Sequence, residues 1–107
     1  MEQITVEELK HRVQENKNLH ILDVREQDEF DEFNIGATFL PLSRLRNMEI
    51  DEIEDWDENE PIIVHCRSGK RSVEACMLLS TMGYAHPINL IDGILGWKEK
   101  YGLEKIK

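Results

Sequence analysis

The sequence predicts an α/β fold: a parallel sheet covered by helices on both faces. Three observations lead there. Short, dense apolar runs alternate with amphipathic stretches along the whole chain, the pattern of strands joined by helical crossovers. The runs are continuous rather than alternating with polar residues, as in strands buried on both sides. Finally, 107 residues of which 40% are hydrophobic suit one domain, 1–107, able to bury roughly two-thirds of its unfolded surface.

The elements follow in order. "ITVEELKHRVQ" opens on a strand-like Ile4. Val6, Leu9 and Val13 then recur at helical spacing, with Thr5 placed to cap the helix before Glu8. "LHILDV" (19–24) is a buried strand. "EQDEFDEF" sets Phe30 and Phe33 three apart, which suits a short helix, and "ATFLPL" (37–42) reads as a strand ending near Pro41. "IIVHC" (62–66) is the strongest strand and "SVEACMLLSTMG" the strongest helix, stopped by Gly83. "INLID" (88–92) is a last strand and "GWKEKYG" a last short helix. Ile94, Trp97 and Cys76 read as core residues.

A net charge of −9 argues against nucleic acid and anionic membrane as partners. No apolar run reaches the length of a membrane span. The opening "MEQITVEELKHR" lacks the basic and apolar regions of a secretion signal, so the expected location is the cytoplasm. Cys66 and Cys76 make neither a disulfide framework nor a zinc ligand set and are expected to be reduced. Eight of the twelve residues in "EIDEIEDWDENE" (49–60) are acidic. They read as a solvated face, with Ile50, Ile53 and Trp56 docking at near-helical spacing, and not as a metal site. His11, His20 and His86 are scattered with no partner. Neither a cofactor nor a metal is implied.

The chemistry concentrates in "CRSGKRS" (66–72). Ligands of open parallel sheets bind beyond the carboxyl ends of the strands, and Cys66 sits at such an end. Gly69 permits backbone angles that turn successive N–H groups inward as a nest, and a helix starting near Arg71 or Ser72 aims its positive end at the same spot. Arg67, Lys70 and Arg71 add positive charge. Such surroundings lower a thiol pKa and hold the anion it forms. Cys66 is therefore the candidate nucleophile, with Arg67, Ser68, Gly69, Lys70 and Arg71 as candidate substrate-binding residues; Ser68 rather than Ser72 is expected to touch the ligand. His65 precedes Cys66 on a strand and points to the opposite face, so it is not expected to be the base. Asp23 and Arg25 follow a strand end, where they border the pocket or form a structural ion pair.

"HCRSGKRS", together with "LDVREQDEF" and "LIDGILGW", resembles the single-domain rhodaneses, the sulfurtransferase homology domain family. The resemblance covers nearly the whole chain in the family's order. It implies a five-stranded parallel sheet with helices on both faces. It also implies a sulfane sulfur carried on Cys66 as a persulfide, a small anionic donor such as thiosulfate, and cyanide or a thiol as acceptor; a protein acceptor belongs to the carrier alternative. One departure stands out: the family commonly reads His-Ile-Pro-Gly-Ala before the third strand, where this chain has "NIGATFLPL" (34–42), one residue shorter. Two rivals remain. One is a persulfide carrier or docking module without turnover. The other is a cysteine phosphatase or arsenate reductase, but phosphatases of the Cys-x5-Arg kind place their arginine six residues after the cysteine, whereas Arg71 is five after Cys66.

Overall fold

The computed structural model describes residues 1–106. Five strands form one sheet: β1 (Glu2–Ile4), β2 (His20–Asp23), β3 (Thr38–Phe39), β4 (Pro61–His65) and β5 (His86–Leu90). Their order is β1-β5-β4-β2-β3, and every pairing is parallel. The helices are α1 (Val6–Glu15), α2 (Gln27–Glu32), α3 (Leu42–Arg46), α4 (Arg71–Thr81) and α5 (Gly93–Tyr101). Among the described residues no helix is long and apolar enough to cross a membrane.

Strand alternation sorts the core into two layers. Leu22, Ile62, Val64 and Cys66 pack with Ala75, Cys76 and Leu79 of α4 and with Leu42 and Leu45 of α3. Ile21, Ile63, Ile88 and Leu90 pack with Leu9 of α1 and with Ile94 and Trp97 of α5. Cys66 thus belongs to the α4 side, and alternation sends its neighbour His65 to the other.

Local signals hold where they were strong. Thr5 caps α1 in a reciprocal box with Glu8, the Glu8 N–H donating to Thr5 Oγ1 at 3.1 Å and the Thr5 N–H to Glu8 Oε1 at 3.2 Å. Gly83 closes α4 with φ +102°. The short turn at 34–37 is built without a proline: Asn34 Oδ1 accepts the Gly36 N–H at 3.0 Å, and Gly36 takes φ +94°.

Elsewhere tertiary structure corrects the sequence reading. The strand expected over 37–42 is paired only at Thr38–Phe39, because Pro41 turns the chain and serves as N-cap of α3, a helix the sequence did not announce. The acidic segment runs through turns rather than a helix, yet Ile53 is fully buried and Ile50 and Trp56 pack at the core's edge. Two histidines have partners after all. The His20 ring stacks on Trp56 with centroids 4.1 Å apart and pairs with Glu60 at 3.2 Å, while His11 meets Glu15 one helical turn on. Strand β5 starts two residues earlier than expected, at His86. Helix α5 starts three earlier, at Gly93, for a reason that lies in the cysteine loop.

Candidate active site

Cys66 follows the last residue of β4, and loop 66–70 leads into α4. Its Sγ is buried and accepts the Gly69 N–H at 3.1 Å, with Ser72 Oγ at 3.4 Å. The Gly69 φ of +99° bends the loop back over the sulfur, a conformation that favours glycine.

What orients the loop is α5. The Ile94 N–H donates to Cys66 O at 2.9 Å and the Leu95 N–H to Arg67 O at 3.0 Å. First-turn N–H groups of a helix lack intrahelical partners, so these loop carbonyls satisfy them and extend α5 back to Gly93. Across a trans peptide the N–H points opposite to the carbonyl. Turning Arg67 O toward α5 therefore turns the Ser68 N–H toward the sulfur. The contact needs Gly93: a Cβ there would stand 2.5 Å from Cys66 O and 2.7 Å from Arg67 O.

The thiol responds to two opposed effects. Burial pushes its pKa up, but the Ser72 hydroxyl and the N–H groups of Ser72, Gly69 and Ser68 together outweigh burial and bring it below the ordinary value. Hydrogen-bond donors are the leading causes that lower it, and the Arg71 charge interacts with the same thiol. Arg67 and Lys70 are exposed and have no side-chain partner among the described residues. Cys76, in the same core layer, goes the other way: burial first, then the Cys66 charge, push it up to about 12. Its place is in the apolar layer.

Arg71 has a different role from its loop neighbours. Its guanidinium grips Glu29 of α2 in a bidentate pair, at 2.7 and 2.9 Å, and ties the α4 start to the turn after β2. This hydrogen bond is the first cause holding the Glu29 carboxyl down to about 2, against an ordinary 4.5. A depressed carboxylate adds stability that is complete above its unfolded pKa and is lost as pH falls through the folded one. The advantage of the wild type over Glu29→Gln should therefore shrink as pH falls from about 4.5 toward about 2. Urea midpoints of both proteins across that range measure it, and a constant difference would show that the pair adds no pH-dependent stability.

Asp23 and Arg25 form a buried ion pair, with Arg25 Nε 3.0 Å from Asp23 Oδ1 and Nη2 2.8 Å from Oδ2. Arg25 also donates to Phe33 O at 2.8 Å. It anchors the turn into α2 and is not aimed at the sulfur. His65 is buried behind the loop, Nδ1 3.2 Å from Cys66 O and Nε2 3.6 Å from Asp23 Oδ2. Burial is the main influence on it and pushes its pKa down. It supports the Cys66 carbonyl rather than facing the thiol.

The structure thus gathers Cys66, Ser68 and Gly69 around the sulfur, leaves Arg67 and Lys70 at the rim, and draws Arg71 to Glu29. Sequence reasoning passed over Asn89, Glu29 and Gly93 and ranked Ser72 below Ser68. Ser72 Oγ touches Sγ and also donates to Asn89 Oδ1; Asn89 Nδ2 lies 3.5 Å from Gly69 O. One signal was available: Asn89 is the lone uncharged polar residue inside the apolar run "INLI", and a polar residue in a buried strand calls for a partner. Among the described residues no group of three or more His, Cys, Asp or Glu side chains gathers as for a metal ion.

A five-stranded parallel sheet with a thiol cradled by N–H groups at a strand's carboxyl end defines a cysteine-loop α/β domain. A family model for the rhodanese-like domain matches residues 5–100, and the chain belongs to that family. A sulfurtransferase of Allochromatium vinosum is 33% identical over 104 residues, covering 94% of this chain and 91% of that protein. A Bacillus subtilis protein named as a sulfur carrier, YrkF, is 31% identical over 99 residues; the match takes in 92% of this chain but spans only 51% of that relative. The crystal structure of a rhodanese-like domain protein from Staphylococcus aureus superposes with a TM-score of 0.82 at 29% identity, covering 98% of both chains.

Proposed function

We propose that the protein is a sulfurtransferase that carries sulfane sulfur as a persulfide on Cys66, with thiosulfate as a competent donor. The observation that carries the reading is the Sγ environment: a thiol with lowered pKa, facing the Gly69 N–H at 3.1 Å. Inward N–H groups stabilise a thiolate and, one bond further out, the terminal sulfur of a persulfide.

The transfer balances without an added oxidant or reductant. The Cys66 thiolate attacks the outer sulfur of thiosulfate and a new S–S bond forms. The donor's own S–S bond breaks, and its electron pair leaves with sulfite. Cyanide or a thiolate then attacks the terminal sulfur. The Cys66 S–S bond breaks, its pair returns to Cys66 as thiolate, and thiocyanate or a new persulfide departs. Both cysteines are free, which fits a reducing compartment, and we place the protein in the cytoplasm.

Arg71 argues against phosphate chemistry. Its guanidinium is already committed to Glu29, so it does not offer the fork that a phosphoryl group would need. Negligible aryl phosphate hydrolysis is expected, and robust hydrolysis dependent on Cys66 would defeat the proposal. A carrier that passes sulfur only to a protein acceptor would use the same loop, and the named sulfur carrier among the relatives favours keeping that reading. Incubation with thiosulfate followed by intact-mass analysis tests sulfur uptake on Cys66. Sustained thiocyanate production with cyanide then separates enzyme from carrier.

Arg67 and Lys70 stand exposed at the rim, where they meet a dianionic donor. Exposed charge contacts are each worth up to about 1 kcal/mol, so Arg67→Ala/Lys70→Ala should raise the KM for thiosulfate about three- to tenfold. Because donors set the thiol, its alkylation profile should stay close to that of the wild type. An unchanged KM would leave donor binding to the backbone alone.

A further inference from the structure

The buried line Cys66 Sγ, Ser72 Oγ, Asn89 Oδ1 holds a conflict. Ser72 and Asn89 are both buried, and Ser72 Oγ lies 3.4 Å from Sγ on one side while bonding Asn89 Oδ1 on the other. A hydroxyl has a single proton. The Asn89 amide is oriented by Nδ2 facing Gly69 O at 3.5 Å, so its oxygen is the atom toward Ser72, and that oxygen can only accept.

The neutral thiol satisfies this line in one direction: S–H donates to Ser72 Oγ, and Ser72 O–H donates to Asn89 Oδ1. Ionisation removes the sulfur's proton and makes it an acceptor. Ser72 then serves either the thiolate or Asn89, and whichever it leaves is a buried acceptor without that bond.

We propose that Ser72 is a rotating proton donor that turns from Asn89 to Cys66 as the thiol ionises. Asn89 is the positioning residue that opposes the turn and so sets how readily the thiolate forms. The inference rests on Cys66 being the reacting thiol. Once Sγ becomes the inner sulfur of a persulfide, the charge moves to the terminal atom, and Ser72 is free to return to Asn89. The line thereby favours the sulfur's uncharged-Sγ states, thiol and persulfide, over the free thiolate.

Other charged groups around the sulfur are accounted for. From α4 come Arg71, paired with Glu29 of α2, and Cys76, whose pKa burial raises. From β4 comes His65, facing the Cys66 carbonyl, backed by the Asp23–Arg25 pair. Arg67 and Lys70 lie on the loop's exposed side. None touches Ser72 Oγ or Asn89 Oδ1.

The test is the pH profile of Cys66 alkylation by iodoacetamide, read by peptide mass on the full chain. Ser72→Ala removes the donor and should raise the thiol pKa by about one unit. Asn89→Leu releases the Ser72 proton to the sulfur and should lower it by about half to one unit. A purely structural Asn89, steadying Gly69 O, would do the reverse, because a loosened nest loses donors. On a Ser72→Ala background Asn89→Leu should have no further effect. A raised pKa in Asn89→Leu, or an equal shift with and without Ser72, overturns the proposal. Should Asn89→Leu fail to fold, Ser72→Ala decides alone, and an unmoved profile overturns it. Alkylation needs no sulfur donor, so these shifts in a protein that takes up no sulfur from thiosulfate would sink the sulfurtransferase reading and leave the switch standing.

Discussion

Cys66→Ser should abolish sulfur uptake from thiosulfate and all thiocyanate production, while Cys76→Ala keeps most of both. The two thiols differ in surroundings rather than in chemistry. Cys66 receives the Gly69 N–H at 3.1 Å and has a lowered pKa. Cys76 lies in the apolar layer under α4 with its pKa pushed up to about 12. At neutral pH a thiol of that pKa is ionised in roughly one molecule per hundred thousand, too few to compete as a nucleophile. A serine at position 66 keeps the shape of the site but attacks sulfur poorly and cannot form a persulfide. Intact mass after thiosulfate, with sulfite release as a second readout, checks both variants. Full loss of uptake in a folded Cys76→Ala protein would mean a relay between two thiols and would overturn the one-cysteine mechanism.

Gly93→Ala should unfold the site from behind. The added methyl would enter at 2.5 Å from Cys66 O, 2.7 Å from Arg67 O and 2.8 Å from Arg67 C, all backbone atoms without side-chain freedom to yield. The residue also has φ +53°, which alanine adopts only with strain. Overpacking and backbone strain together should lower stability by about 2–4 kcal/mol. The loop carbonyls must then leave Ile94 and Leu95, and the N–H groups behind them turn away from the sulfur. Activity should therefore fall further than stability explains, with the alkylation profile of Cys66 shifted to higher pH. Gly102→Ala is the control. It has a similar φ, +61°, but nothing within 4 Å of the added methyl, so it should show the strain without the displaced loop. Equal effects of the two changes on the Cys66 profile would show that α5 does not set the loop.

Much of this site lies in one local segment. Strand end, cysteine, glycine and helix start fall between residues 61 and 83, and each depends on neighbours a few positions away. Hydrophobic patterning and the backbone freedom of Gly69 are local properties. They were sufficient to mark Cys66 as the nucleophile candidate, just as Thr5 and Glu8 marked the start of α1. The Asp23–Arg25 pair, two residues apart, was within the same reach. The partners of that segment were not. Glu29 reaches Arg71 from 42 positions away, Asn89 reaches Ser72 from 17, and the N–H groups of α5 meet the loop only because β5 lies beside β4. Sequence order suggested an N–H nest, a helix start and three cationic side chains together as the source of thiolate stability. The folded chain keeps the N–H nest, adds a serine hydroxyl to it, ties Arg71 to Glu29 and leaves Arg67 and Lys70 at the surface. The sequence by itself determined where the thiol stands, at a strand end and on the face opposite His65. Only the tertiary structure decided which groups face it, because hydrogen bonds between distant segments depend on strand register and on helix ends meeting loop carbonyls, and neither is encoded in any one stretch of chain.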